Sequence, residues 1–487
     1  MTATQDPSPL LVTTLADEAA TEAFGAALAP LLSTGDVLAL DGTLGMGKTV
    51  LARGLARALM DEPDLEVPSP TFTLVQVYEG LDETLFHFDL YRLVASEEAY
   101  EAGIEDAFGD GISVIEWPDR LGGILPRQAL WLQLTPAKEG RTLTVWGPPA
   151  WAKRLRPLLK RSFLQAAGWG DAEVTVLAGD ASFRRYDRAH LAGERRVLMD
   201  APPPEEDIRP FAAIARHLSG LGLSAPAILA ENAGAGFLLL EDFGDDTYTR
   251  LLARGHDEKV LYERAVEALI HLHRHPEANA LDLPAYDVPT LMREARLLVD
   301  WYAPAVLGEA LSADPIAAFE AALKPAFDWV AEAKPKTLVL RDFHVDNLLL
   351  LPGRDGPAAC GLLDFQDALS GHPAYDLMSL LEDARRDVDP DLQEACKARY
   401  FQAMPEVDKA RFLTAYRILG AGRHAKVIGI FTRLAHRDGK PRYLPHIARC
   451  WRLLLAACEA EPLLADFHAW LDKNLPAQDR VIPDETP

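Results

Sequence analysis

The stretch Leu340-Arg341-Asp342-Phe343-His344-Val345-Asp346-Asn347 follows an apolar, strand-like run that begins at Thr337. A second apolar run, Leu348 to Leu351, comes straight after it, and Leu362-Leu363-Asp364-Phe365 closes the pattern. Phosphoryl transfer needs these residue types in this order. One carboxylate takes the proton of an attacking hydroxyl; an amide oxygen and a second carboxylate hold the metal that bridges the phosphates. Asp342 is therefore expected to be the base, with Asn347 and Asp364 as metal ligands. Asp-x-x-x-x-Asn alone also marks ordinary polar turns between strands. The flanking apolar runs and the spaced Asp-Phe favour the catalytic reading.

Upstream of it, Glu173 to Leu177 reads as a strand, and Gly179-Asp180-Ala181-Ser182-Phe183-Arg184-Arg185-Tyr186 as a turn into a second. Arg196-Val197-Leu198-Met199-Asp200 is a third. In a kinase-like fold this hairpin lies over the nucleotide phosphates. A helix is expected over 208–218. Ala227 to Glu231 and Gly236 to Phe243 form another hairpin, whose end at Glu241 falls where a hinge supplies backbone hydrogen bonds to adenine. Helical spacing then dominates, returning at 375–383, 391–403, 409–435 and 443–459. The expected architecture is a small β-rich lobe over a large helical lobe. One departure stands out. Kinases carry a lysine on the third strand to grip the α- and β-phosphates, but Met199 stands near that position. Arg184 or Arg185 is left to supply the charge, or the metal holds the triphosphate.

A second nucleotide motif lies far upstream. Gly42-Thr43-Leu44-Gly45-Met46-Gly47-Lys48-Thr49 matches Gly-x-x-x-x-Gly-Lys-Thr in full. A buried-type strand (Val37 to Leu40) precedes it and a helix (Val50 to Met60) follows, which a chance glycine turn would lack. The loop amides from Gly42 to Gly47 are expected to wrap phosphates, Lys48 to reach the outer ones, and the Thr49 hydroxyl to bind magnesium. A helix is expected over 16–32, after a loose polar arm over residues 1–10. Val67 to Val75 reads as a turn entering a strand; Leu85 to Arg92 and Ile112 to Pro118 read as two more. Asp89 and Glu116 sit near strand ends, where carboxylates hold metal or orient an attacking water. Either alone would read as a strand-end cap.

Trp146-Gly147-Pro148-Pro149-Ala150 reads as a break, since two prolines disfavour helix and strand alike. The expected division is residues 1–147, a linker over 148–156, and 157–487. Lys153 to Ala167 reads as an amphipathic helix with a basic face (Lys153, Arg154, Arg156, Lys160, Arg161). That face is expected to be solvated, with docking on the acidic first unit as the alternative.

At 487 residues, 49% hydrophobic and 25% charged, the chain has the length of two or three globular cores. No apolar run reaches the roughly 20 residues of a membrane span, and Met1 to Pro9 lacks the features of a signal peptide. Cys360, Cys396, Cys450 and Cys458 are scattered, without metal-like pairing, which points to a reducing, cytoplasmic setting. Formal net charge is −24, and residues 1–150 hold 23 of the 73 acidic residues but only 8 of the 49 basic ones. Such a surface repels a phosphate backbone, so neither half is expected to bind nucleic acid directly.

Gly-Thr-Leu-Gly-Met-Gly-Lys-Thr, Ser-Pro-Thr-Phe (69–72), His-Phe-Asp-Leu-Tyr-Arg (87–92) and Ile-Glu-Trp-Pro (115–118), in this order, resemble the TsaE family over roughly residues 10–145. The resemblance implies an ATPase that resets, between turnovers, the complex transferring a threonylcarbamoyl group to adenosine 37 of tRNA. It implies the TsaB and TsaD proteins as partners. It carries family roles onto Lys48, Thr49, Asp89 and Glu116, with Thr43 in the loop and Ser69 and Thr71 as switch-like neighbours.

The rest of the chain, about residues 157–475, is similar to the aminoglycoside phosphotransferase superfamily. The similarity rests on Gly-Asp-Ala-Ser-Phe-Arg-Arg-Tyr, Met-Asp-Ala-Pro-Pro, Leu-Leu-Glu-Asp-Phe-Gly, Arg-Asp-Phe-His-Val-Asp-Asn and Leu-Asp-Phe-Gln-Asp-Ala. Within it the chain looks like the AmgK-type cell-wall-recycling kinases that phosphorylate the anomeric hydroxyl of N-acetylmuramate and N-acetylglucosamine. The fold implied is an α/β P-loop NTPase domain followed by an α+β protein-kinase-like two-lobed domain, using ATP and Mg2+ on an amino sugar. Two alternatives stay open for the second unit: an aminoglycoside or other small alcohol as acceptor, or a silent nucleotide-binding scaffold that regulates the first. His344 is expected to support its loop rather than move protons, and Asp376 to anchor a helix start. Arg423, His424 and Lys426 read as a solvated helix face, or as a site for an acidic sugar substituent such as a lactyl carboxylate.

Overall fold

The computed structural model describes residues 9–179 and 183–484. Most of the expected N-terminal arm, and Asp180, Ala181 and Ser182 of the expected turn, lie outside the described residues.

The chain opens with strand β1 (Leu11–Leu15), helix α1 (Glu18–Leu28), β2 (Val37–Asp41), α2 (Lys48–Met60), β3 (Val75–Glu79) and β4 (Thr84–Asp89). Short helices α3 (Glu98–Glu101) and α4 (Ile104–Asp110), β5 (Ile112–Glu116), β6 (Leu130–Pro136) and β7 (Arg141–Trp146) follow. The strands form one sheet in the order β1-β7-β6-β2-β5-β4-β3. Its centre is parallel: β2 runs with β5 and β6, and β4 with β5. Parallel strands are buried on both faces, which is why Val37 to Leu40 of β2 and every residue of β5 are buried, rather than alternate ones. The register sets Leu40 and Asp89 on either side of Glu116. The loop after β2 and two carboxylates thus reach one edge of the sheet together.

The expected linker is folded. Pro149–Arg154 is helix α5, and α6 (Arg156–Ala166) follows at once. The prolines at 149 and 157 sit in first turns, where a missing N–H costs nothing. The single helix expected from Lys153 to Ala167 is therefore split at Leu155, and most of its basic face is not solvated. Arg154 donates to the Asp36 carboxylate (Nη1 to Oδ1, 2.8 Å) and to the Leu31 carbonyl (2.6 Å). Arg156 donates to Asp200 (2.8 Å) and lies 3.8 Å from the Phe237 ring centroid. Lys160 holds Asp187 at 2.7 Å and Asp200 at 3.1 Å. These carboxylates are shielded from water, and shielded charges require partners. Lys153 and Arg161 remain exposed.

Strands β8 (Glu173–Gly179), β9 (Arg185–Leu191), β10 (Glu194–Asp200), β11 (Ile228–Asn232) and β12 (Phe237–Glu241) form a second sheet, ordered β11-β12-β10-β9-β8. Helix α7 (Arg209–Gly220) lies between β10 and β11 in sequence. Phe163 of α6 stacks on Phe237 at 5.4 Å. Leu158, Leu159 and Phe163 share one apolar cluster with Leu198, Phe237 and Leu239 of this sheet and with Leu38, Leu51, Leu55 and Trp151 of the preceding part. All of them belong to one compact unit, the residues up to Asp207 with Ala230–Leu239. Trp151 is 4% exposed and its indole N–H donates to the Gln128 carbonyl at 2.8 Å. Trp151→Ala should therefore lower stability by about 3–5 kcal/mol, read as a lower midpoint in chemical denaturation. An unchanged midpoint would show that the junction does not contribute to the core.

The second compact unit comprises Ile208–Leu229 and the residues from Leu240 onward. Beyond α7 it contains α8 (Tyr248–Ala253), α9 (Glu258–Arg274), α10 (Val288–Ala295), α11 (Ala303–Leu307) and α12 (Ala313–Glu332). Four short strands follow: β13 (Thr337–Val339), β14 (Leu348–Leu350), β15 (Cys360–Leu362) and β16 (Leu369–Gly371). β13 pairs with β16 and β14 with β15, both antiparallel. Helices α13 (Ala374–Leu381), α14 (Pro390–Ala403), α15 (Lys409–His436), α16 (Ile447–Ala460) and α17 (Ala465–Asn474) complete it. The expected start of α16 at 443 is displaced because Pro441 and Pro445 confine Pro441–His446 to a 3-10 turn. The long helix α15 packs against α10, α13 and α16.

Candidate active sites

The Gly42–Thr49 loop turns β2 into α2. Gly42 and Gly47 have φ of 141° and 93°, in the region glycine tolerates without strain. A Cβ on Gly42 would stand 2.6 Å from the Leu134 carbonyl oxygen. Lys48 is 4% exposed; its Nζ donates to the carbonyls of Gly42 (2.7 Å) and Thr43 (3.2 Å) and lies 3.8 Å from the Trp117 ring centroid. Burial pulls its pKa below the usual lysine value, while Glu116, Asp89 and Asp41 pull the other way. The Thr49 hydroxyl donates to Glu116 Oε1 at 2.7 Å, and His87 Nε2 lies 3.0 Å from the same oxygen. Asp89 accepts from the hydroxyls of Ser69 and Thr71, each at 2.5 Å, and from the Tyr91 N–H at 3.0 Å. All the expected residues of this site thus meet at one sheet edge. Sequence reasoning missed His87, Trp117 and Arg141, whose Nη1 donates to the Met46 carbonyl at 3.1 Å. The first two lie inside motifs already noted; Arg141 carries no local signal.

In the second unit Asp342 lies on the loop between β13 and β14, Asn347 just before β14, and Asp364 just after β15. Pairing of Leu348 with Leu362 draws the last two together. The Asn347 amide nitrogen donates to the Asp342 carbonyl at 3.0 Å and lies 3.4 Å from Asp364 Oδ2. That orientation leaves Oδ1 as the atom to meet a cation. Gln366 donates to Asp364 Oδ1 at 2.8 Å. Arg341 and Asp364 have φ of 69° and 57°, and left-handed non-glycine residues cluster at functional sites.

Asp376 does not anchor the start of its own helix. Its carboxylate accepts the N–H groups of Leu340 (2.7 Å) and Arg341 (2.9 Å), so it fixes the backbone just before Asp342. Burial pushes this carboxyl up to about 7, against the two amides that favour its ionised form. The folded chain thus holds this proton more tightly than the unfolded chain. The stabilising contribution is full below about pH 4 and is lost as pH rises to about 7. Asp376→Asn cannot ionise, so its stability relative to wild type should improve steadily over that window, by about 1.4 kcal/mol per pKa unit. Denaturation midpoints at several pH values test this; a difference independent of pH would refute it.

His344 is buried, and burial, with Arg385 and Arg423, holds its pKa well below the usual histidine value. Its Nε2 lies 3.5 Å from the Asn347 amide nitrogen, consistent with support of the loop. Arg423, His424 and Lys426 are not a solvated face. Helix α15 is enclosed, with Arg423 4% and His424 0% exposed. His424 Nε2 lies 2.7 Å from Glu382, and Lys426 donates to Glu294 at 3.0 Å. Arg423, Lys426 and Arg385 line a cavity of about 140 Å³ together with Asp342, Tyr375 and Phe431. A larger cavity of about 940 Å³, bordered by His271, Arg274 and Arg399, gathers none of the expected site residues.

Two of the remaining expected nucleotide contacts, Arg184 and Glu241, have carboxylate or cationic partners within the protein. Arg184 Nε lies 3.7 Å from Glu206, and Arg185 is exposed, opposite Asp200 in the strand register. Met199 is fully buried. The Glu241 carboxylate pairs with Arg354 and accepts the Ala227 N–H at 3.3 Å. Among the described residues no three or more His, Cys, Asp or Glu side chains converge as a metal cage. Magnesium in phosphoryl-transfer sites takes one or two carboxylates and fills its shell with phosphates and water. Asn347 with Asp364, and Thr49 with Glu116, fit that mode.

These two sites define an α/β P-loop NTPase domain followed by an α+β phosphotransferase of protein-kinase-like fold, and the chain is an enzyme of that double class. The sequence model described as "Threonylcarbamoyl adenosine biosynthesis protein TsaE" matches residues 15–143, and that described as "Phosphotransferase enzyme family" matches residues 173–413. The N-acetylmuramate/N-acetylglucosamine kinase of Caulobacter vibrioides is 39% identical over 359 residues, covering 67% of this chain and 98% of its own. That of Pseudomonas aeruginosa is 40% identical over 312 residues, 62% of this chain and 89% of its own. The tRNA threonylcarbamoyladenosine biosynthesis protein TsaE of Treponema pallidum is 39% identical over 127 residues, 26% of this chain and 92% of its own. The chain therefore belongs to the TsaE family in its N-terminal part and to the N-acetylmuramate/N-acetylglucosamine kinase family in the remainder. No helix among the described residues is long and apolar enough to cross a membrane.

Proposed function

We propose that the chain is bifunctional. Residues 1–147 hydrolyse ATP in support of threonylcarbamoylation of adenosine 37 in tRNA, working with TsaB and TsaD proteins. Residues 157–487 phosphorylate the anomeric hydroxyl of N-acetylmuramate or N-acetylglucosamine, and residues 148–156 join the two. The family matches at 15–143 and 173–413 support this division. Four buried, unpaired cysteines fit a cytoplasmic protein.

The observation that carries the kinase assignment is the convergence of Asp342, Asn347 and Asp364 on one paired-strand junction. Asp342 takes the proton of the anomeric hydroxyl as its oxygen bonds to the γ-phosphorus and the phosphorus–oxygen bond to ADP breaks. Asn347 and Asp364 here, and Thr49 and Glu116 in the ATPase, would hold magnesium, which when bound offsets phosphate charge. In the ATPase, Asp89 and Glu116 orient the attacking water, and the amides of Gly42 to Gly47 with Lys48 hold the phosphates. Arg184, Arg185 and Glu241 are assigned to the nucleotide of the kinase half. The cationic wall made by Arg385, Arg423 and Lys426 weighs against an aminoglycoside, itself a polycation.

The test uses the full chain with ATP, magnesium and either sugar. Sugar-dependent ADP release with formation of a 1-phosphate is expected. Absence of turnover by folded protein would favour the scaffold reading.

A further inference from the structure

We infer that Arg423 and Lys426 form a carboxylate-binding subsite beside Asp342, which sets the preference of the kinase for N-acetylmuramate over N-acetylglucosamine. The inference rests on the acceptor reading above. The two sugars differ only in the lactyl ether on O3, which brings one carboxylate.

The cavity beside Asp342 has more positive charge than a neutral hexosamine requires. Three of its walls are the cations Arg385, Arg423 and Lys426, in a chain whose net charge is −24. Two of them have other partners nearby. Arg385 Nε is 3.3 Å from Asp346, and Lys426 shares Glu294 with Arg341. Arg423 is different. It is 4% exposed, and its Nη1 is buried with no hydrogen-bond partner among the described residues. Asp342 and Asp383 act on its charge, yet that nitrogen has no acceptor. A buried guanidinium donor left unmatched is costly, unless a substrate supplies the acceptor. A carboxylate suits it, because the planar guanidinium fork takes two carboxylate oxygens together. Lys426 is 12% exposed at its side chain and has donors beyond the one given to Glu294. Both cations lie on α15, about one turn apart, so one anion can meet both. Phe431 supplies an apolar wall for the C–H face of a sugar ring.

The test compares kcat/KM of the full chain for three acceptors: N-acetylmuramate, its methyl ester and N-acetylglucosamine. In the wild type the acid should exceed the ester by about 10- to 100-fold, the range of one or two charge-assisted hydrogen bonds. Lys426→Met and Arg423→Lys should each shrink the acid-to-ester and acid-to-N-acetylglucosamine ratios by about 10-fold or more. If the Arg423 variant does not fold, Lys426→Met and the wild-type comparison with the ester still decide. Equal turnover of acid and ester by the wild type would overturn the subsite, as would variants that lower all three acceptors by one common factor. Failure to phosphorylate either sugar would instead overturn the acceptor reading, and the subsite with it.

Discussion

Asp342→Asn should lower sugar phosphorylation by about 10²- to 10⁴-fold, the range contributed by a positioned general base. The substitution is close to isosteric, and the loop does not depend on the carboxylate. Asn347 is held by the main-chain carbonyl of residue 342, and the backbone before it is fixed by Asp376. The loss should therefore fall mainly on kcat, with KM for the sugar nearly unchanged. ATP hydrolysis by the N-terminal half, measured with its partner proteins, should persist. Full kinase activity in the variant would remove Asp342 from the role of base.

Lys48→Ala should have the converse effect, lowering the partner-dependent ATP hydrolysis by about 10²- to 10³-fold, as the loss of one charge-stabilising donor does, while sugar phosphorylation continues. Lys48 is the buried cation of the loop, set between its carbonyls and the Trp117 face. Removing it should also weaken nucleotide binding, followed with a fluorescent ATP analogue. The lost cation–π contact should cost only about 0.5–2 kcal/mol of stability. Hydrolysis at the wild-type rate would sink the phosphate-gripping role. Loss of both activities in folded protein would show that the two sites are coupled.

Both nucleotide motifs were legible because their chemistry is local. A strand, a turn of fixed length and a helix or second strand place Lys48, Thr49, Asn347 and Asp364 with little help from the rest of the chain. Features that depend on distant partners leave a weaker mark in the sequence. The basic residues Arg154, Arg156 and Lys160 look like a wetted helix face until Asp36, Asp187 and Asp200 fold onto them. The α15 cluster looked the same, because Glu294 and Glu382 come from elsewhere in the sequence. Small residues such as Gly420, Ala421 and Gly422 let neighbouring helices enclose α15, which erases the periodicity that would have marked it as buried. Asp376 looks like a helix anchor in the sequence for a related reason: the amides it holds are those of Leu340 and Arg341, on another element.

The apolar cluster running from Leu38 through Trp151 and Phe163 to Phe237 and Leu239 has a consequence for descent. Modules strung on a flexible tether can be exchanged by recombination with little penalty. Here a crossover at the seam would strip oily side chains of their cover on both fragments. A replacement ATPase would have to present matching surfaces to Trp151 and Arg154 to keep that seam covered.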